Sequence, residues 1–216
     1  MKSGRFDPAT RRGLVSSLAA VGAAGLSAAA AGGEAGVAGA RSAPGRTPDE
    51  LASERWRQQR TPNVPLLDHN GRSLRFYDDV MKNRIVVLNV MYTVCSKICT
   101  PATRHLIEAR RLLGATAKDL HFVSMTLTPL SDTPAALREY KTLHGIDEGW
   151  TFLTGKVEDV ERVQRALGFI TDRDTDDLLS HSAMARVCDE RNQRWTHVNT
   201  LLSPRSIARM IRFELV

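Results

Sequence analysis

The sequence predicts an α/β fold, a sheet containing parallel strands with helices packed on it, and three observations carry that prediction. Ile85-Val-Val-Leu-Asn-Val-Met-Tyr92 is β-branched and apolar without alternation, the pattern of a central strand covered on both faces. From there to the C-terminus strand-like and helix-like segments alternate. The composition, 42% hydrophobic and 25% charged over 216 residues, is that of one ordinary globular domain with a tail.

The first forty residues read as targeting rather than fold. Thr10-Arg-Arg-Gly-Leu-Val-Ser16 leads into an uncharged Ala/Gly/Ser/Leu/Val stretch reaching Gly33, and Ala38-Gly-Ala40 is an acceptable cleavage site. The paired Arg11 and Arg12, with alanine and glycine in place of leucine, point to a twin-arginine export signal over residues 1–40. The competing reading is a retained anchor. About 20 apolar residues can span a bilayer, but a stretch so rich in alanine and glycine inserts weakly. An exported, periplasmic domain follows, so its cysteines would work in an oxidising compartment.

Residues 41–61 are polar and arginine-rich with Pro44, Gly45 and Pro48, and read as a linker ending in a short helix around Asp49 to Gln59. The folded domain spans residues 62–216. Val64 to Phe76 reads as a hairpin in which Asn70-Gly71 supplies the turn. After the strand of Ile85 to Tyr92, Pro101 opens a helix to Leu113 with Leu106, Ala109, Leu112 and Leu113 on its inner side, ended by Gly114.

Leu120 to Leu127 is the next strand, and Asp132-Thr-Pro-Ala caps a helix stopped at His144-Gly145. Trp150 to Leu153 is a short strand. Glu158 to Leu167 is an amphipathic helix with Val160, Val163 and Leu167 inward, closed by Gly168. An acidic loop, Thr171 to Asp177, leads to His181. Two strands, Ala183 to Asp189 and Trp195 to Leu202, flank the turn Glu190 to Gln193, and Ser203-Pro204 caps a last helix to Phe213. The order βαβ…ββα predicts a thioredoxin-like fold with an added N-terminal β-hairpin and a β-hairpin insertion before the last helix.

The formal net charge of +6 comes from 30 basic and 24 acidic residues spread along the chain, without clustered aromatics, so no nucleic-acid partner is expected. With three cysteines, Cys95, Cys99 and Cys188, the chain is no disulfide scaffold. Cys95 and Cys99 fall where a strand hands over to a helix, and unpaired N–H groups and the helix dipole there favour thiolate. Three readings stand at this point: a structural disulfide, a redox pair, or two legs of a metal site. The first contributes little, because the loop it closes is very short. Two thiolates holding a soft cation would want a third donor, and imidazole suits copper and zinc. Of the histidines at 69, 105, 121, 144, 181 and 197, His181 stands out, because it follows the acidic loop and precedes a strand. Cys188, within a predicted strand, reads as a buried small hydrophobe, with pairing to another chain or to a site cysteine as the sharper alternative.

Thr93-Val-Cys-Ser-Lys-Ile-Cys99, then Ser124, Asp132-Thr-Pro134, Tyr140, Trp150-Thr-Phe-Leu-Thr-Gly155 and His181-Ser182, resemble in order and spacing the SCO/SenC family of thioredoxin-like copper-binding proteins. The similarity covers about residues 62 to 214. It implies one copper ion, Cu(I) or Cu(II), held by Cys95, Cys99 and His181. The implied role is a non-enzymatic metallochaperone assisting assembly of the CuA centre, its partner being the cytochrome c oxidase subunit that carries that site. The alternatives are a thiol-disulfide oxidoreductase using Cys95 and Cys99 catalytically, or a redox or copper sensor. A monomer is expected, and an uncleaved N-terminal segment would be a route to membrane association.

The chain departs from the family's pattern at Ser96, Lys97 and Thr100, where prolines and an acidic residue are usual, and at Thr128-Pro129 in place of Asp-Pro. Lys97 would favour thiolate formation at its neighbours while repelling an incoming cation.

Overall fold

Seven consecutive buried residues, Ile85–Met91, form strand β3 at the heart of the molecule. The computed structural model describes residues 47, 48, 57, 60–95, 97–170 and 183–214. The segment expected to be an export signal, most of the expected linker helix, the acidic stretch from Thr171 to Asp177 and His181 therefore lie outside the described residues. Strands β1 (Pro65–Asp68), β2 (Ser73–Arg75), β4 (Leu120–Thr126), β5 (Trp150–Thr154), β6 (Met184–Asp189) and β7 (Arg194–Asn199) complete one sheet in the order β2-β1-β5-β4-β3-β6-β7. Strands β3, β4 and β5 are parallel, with β3 and β4 in register from Ile85 with Leu120 to Met91 with Thr126. The flanking pairs are antiparallel.

The handedness of crossovers decides which face each helix covers. Helix α1 (Cys99–Leu113) joins β3 to β4 and α2 (Pro134–Leu143) joins β4 to β5, two steps in one direction across the sheet, so both right-handed crossovers place them on the same face. Helix α4 (Pro204–Glu214) joins them there. On that face Val87, Met91, Leu106, Ala109, Leu113, Leu137, Ile207 and Ile211 share one buried cluster with Phe122, Trp150 and Phe152. Helix α3 (Val157–Ala166) follows β5 and steps back toward β6. Its Val160 and Val163 sit on the other face with Val86, Leu88, Val90, Phe76 and Val80. Alternation along β3 feeds both clusters, and each large side chain buried this way contributes about 1.5–3 kcal/mol.

The N-terminal hairpin is fixed by Asp68. Its fully buried carboxylate accepts from the backbone N–H of Asn70 (2.8 Å) and Arg72 (2.9 Å) and from Arg72 Nε (2.7 Å), while Gly71 takes the positive φ of +80°. Gly71 uses the left-handed region and Asn70 does not, so this is a four-residue connection and not the two-residue turn the Asn-Gly pair implied. The C-terminal hairpin β6–β7 lies where the sequence places it, but β7 ends at Asn199 instead of continuing to Leu202.

Two further boundaries differ. Helix α1 begins at Cys99, two residues before Pro101, and Leu112 is 38% exposed because it lies at the edge of the Leu106–Ala109–Leu113 stripe. Thr133, and not Asp132, caps α2, its hydroxyl accepting from the Ala136 N–H at 3.3 Å. Asp132 has other work.

Candidate metal and redox site

β3 ends at Met91, and the chain turns through Tyr92–Val94, with the Cys95 N–H donating to Tyr92 O at 3.2 Å. Ile98 precedes α1 without any side-chain cap, so the first-turn N–H groups stay free for other acceptors. One of them is taken by sulfur: the Cys99 N–H donates to Cys95 Sγ at 3.3 Å. Thr100 Oγ1 donates to the Cys95 carbonyl at 3.0 Å and fastens the loop to the first turn. Cys95 and Cys99 are free thiols, 5% and 8% exposed.

The two sulfurs have opposite acidities. Burial opposes the Cys95 thiolate, but hydrogen bonds from the Cys99 thiol, the N–H groups of Cys99 and Ile98, and Tyr92 outweigh it and bring the pKa down to about 7. At Cys99, burial comes first. The bond that it gives to Cys95 and the charges of Cys95 and Asp132 add to it, pushing the thiol up to about 12. Once the pH rises above about 7 the pair therefore comes to hold one proton, kept on Cys99. Lys97 is exposed, and the largest influences lowering Cys95 are the hydrogen bonds at the helix entrance and not the expected charge of Lys97.

Asp132 is 1% exposed and ties the site loop to the loop after β4. Its carboxylate accepts from Thr93 Oγ1 (2.6 Å), Thr126 Oγ1 (2.5 Å) and Thr128 Oγ1 (3.1 Å), and from the Thr93 N–H at 3.3 Å. Three hydroxyls and an amide replace its hydration shell. On the inner side, Tyr140 shares a hydrogen bond with Thr103, one turn beyond Cys99 (3.0 Å), and burial together with the charges of Cys99 and Cys95 keeps the phenol protonated. Behind it, the Trp150 indole N–H donates to Ser124 Oγ (2.9 Å), which donates to Asn89 Oδ1 (2.8 Å), linking β5, β4 and β3.

Of the residues singled out from sequence, the structure brings Cys95 and Cys99 together, and His181 lies outside the described residues. The other histidines stand elsewhere. His69 meets Lys141 Nζ (3.1 Å), His105 meets Thr200 O (3.0 Å), His121 meets Thr151 Oγ1 (3.0 Å), and His144 packs on the Tyr140 ring. His197 lies on the edge strand β7, paired with Arg186. Among the described residues no group of three His, Cys, Asp or Glu is placed to hold a metal ion. Cys188 lies in the cluster on the opposite face from Cys95 and Cys99, so pairing with a site cysteine is ruled out in this fold. Sequence reading missed Asp132 and Thr93 as partners, because a clamp across 39 positions leaves no local signal.

Comparison with known proteins agrees with this architecture. A protein from Stutzerimonas stutzeri whose name describes it as copper-binding is 34% identical over 134 residues, 58% of this chain and 62% of that protein. The chain thus spans less than two thirds of that relative's length. The copper-bound structure of Bradyrhizobium japonicum ScoI superposes with a TM-score of 0.57 at 21% identity, covering 71% of this chain and 98% of that one. BsSco, described as a member of the Sco family of cytochrome c oxidase assembly proteins with a disulfide switch, superposes with a TM-score of 0.57 at 18% identity, over 70% of this chain and 90% of that one. These likenesses show the thioredoxin-like fold. The SCO1/SenC family model matches residues 54–215, three quarters of the sequence, and the chain belongs to the SCO1/SenC family.

Proposed function

We propose that this protein carries one copper ion as cargo, held by Cys95, Cys99 and His181, and delivers it to the CuA centre of cytochrome c oxidase. The observation that carries the reading is the buried dithiol at the entrance of α1, with one sulfur already acidified to about 7. A soft ion approaching it meets the Cys95 thiolate first. Its charge then displaces the proton from Cys99, so capture releases protons and strengthens with pH. The first two donors are preorganised by the Asp132 clamp. The third donor in this proposal is His181, the histidine that the SCO/SenC resemblance implies. The names given to the copper-binding relative and to the oxidase-assembly neighbour support both halves of this reading.

Residues 1–40 serve as the export signal and 41–61 as the linker, and the domain works in the periplasm, free or held by an uncleaved N-terminus. Among the described residues no helix is long and apolar enough to cross a membrane. Anaerobic titration of the reduced, exported protein should give one copper per chain, and Cys95→Ser with Cys99→Ser should reduce it to none; unchanged stoichiometry in the double variant would defeat the proposal.

A second reading is favoured by the split between the thiols. The Cys95 thiolate would attack a partner disulfide, forming a mixed disulfide and releasing one partner thiolate. Cys99, giving up its proton, would then attack Cys95 Sγ, closing Cys95–Cys99 and releasing the second thiolate, with two electrons passed to the partner. His181→Ala separates the readings: copper retention should fall sharply, while reduction of a scrambled disulfide substrate should persist.

A further inference from the structure

Helices α1 and α4 lie side by side and run in the same direction. His105 Nδ1 is 3.0 Å from Thr200 O, just ahead of α4, and at the far end Arg212 Nη2 donates to Leu112 O at 3.3 Å. Their inward stripes, Leu106, Ala109 and Leu113 with Ile207, Ala208 and Ile211, are buried against the sheet. Outward they present Arg104, Arg111, Arg205, Arg209 and Arg212, all exposed.

The two helices together carry six arginines against two glutamates, and one of those, Glu108, is bonded to Arg111 at 2.7 Å. Arg104, Arg205 and Arg209 have no ion-pair partner among the described residues. The same two helices carry three large apolar side chains that the fold leaves in water: Phe213, 77% exposed, Leu112, 38%, and Met210, 37%.

We propose that this two-helix face docks on a bilayer surface containing anionic phospholipid. Arginines at 205, 209 and 212 recur at i, i+4 and i+7 along one side of α4, with Arg104 and Arg111 in a second row on α1, so the positive charge is spread over a plane and not gathered at a point. A continuous sheet of phosphates matches such a spread. The phenyl ring, thioether and leucine supply the apolar tips that enter the boundary between headgroups and acyl chains. The dithiol opens at the N-terminal end of α1, so docking would hold it beside the membrane plane, facing along the surface toward a membrane-embedded partner. The proposal does not depend on copper being the cargo.

The test uses the full chain and vesicles of phosphatidylcholine with and without phosphatidylglycerol. Residues 1–40 carry arginines and apolar residues of their own, so each variant is compared with the wild type in the same full-length background. Arg205→Glu, Arg209→Glu and Arg212→Glu together should weaken binding to the anionic vesicles on the order of a hundredfold, with far-UV circular dichroism unchanged. Should that triple variant unfold, Arg209→Gln and Phe213→Ala singly should each lower binding several-fold. In Phe213→Trp, the added indole emission should be quenched by brominated lipid. Equal binding by the charge-reversed and wild-type proteins, equal binding to neutral and anionic vesicles, or an added emission in Phe213→Trp that brominated lipid leaves unchanged would each overturn the proposal, as would salt-sensitive capture of an acidic protein without vesicle binding.

Discussion

Cys95 and Cys188 are withdrawn from water to nearly the same degree, 5% and 0% exposed, yet their thiols are shifted in opposite directions. Cys188 sits in β6 between Val86 and Trp195, packed with Phe76, Val80 and Met81, and burial drives its thiol far up with only Arg186 opposing. Cys95 meets the N–H groups at the start of α1 and the Cys99 thiol. Exclusion of water raises both. The direction of the nearby dipoles decides which sulfur becomes a thiolate.

The largest effect that could break this comparison is chemical. In the native, reduced protein, iodoacetamide should modify Cys95 at a rate climbing through pH 7, because the thiolate population grows as pH rises past its pKa of about 7. Cys188 should react only after unfolding, orders of magnitude more slowly. Mass spectrometry of the labelled peptides checks this, and equal labelling of the two in the folded state would end the distinction.

Asp132→Ala comes next. It strips the shared acceptor from Thr93, Thr126 and Thr128, and urea unfolding should show a loss of about 2–3 kcal/mol from the hydroxyls left without a partner. It should also lower the Cys99 pKa, since the Asp132 charge is one of the influences raising it. Cys188→Ala should cost about 1 kcal/mol of core packing and leave thiol reactivity and copper stoichiometry as they were. The smallest expected change is that of Lys97→Ala. The Cys95 pKa should stay near 7, whereas a clear rise would restore the lysine as its cause.

Much of the fold was legible because its signals are local. The unbroken apolar run of β3, Gly114, Gly145 and Gly168 at helix ends with positive φ, and the Val160–Val163–Leu167 stripe each announce their element within a few residues. The cysteine pair was legible for the same reason, lying where strand gives way to helix. What escaped depends on distance along the chain. Asp132-Thr-Pro looks like a helix cap, and Thr133 does cap, but the carboxylate turns to Thr93 instead. Leu112 has the residue type of the core stripe but not its angle. The charge of Lys97 invited an electrostatic role that its exposed position does not sustain.

The central claim is that Cys95, Cys99 and His181 meet on one copper ion. X-ray absorption at the copper edge of the reduced, Cu(I)-loaded protein tests it most directly. A shell of two sulfurs and one imidazole nitrogen, with the nitrogen lost in His181→Ala, is the predicted result. A shell without paired sulfurs, or one unchanged by removing that histidine, would contradict it.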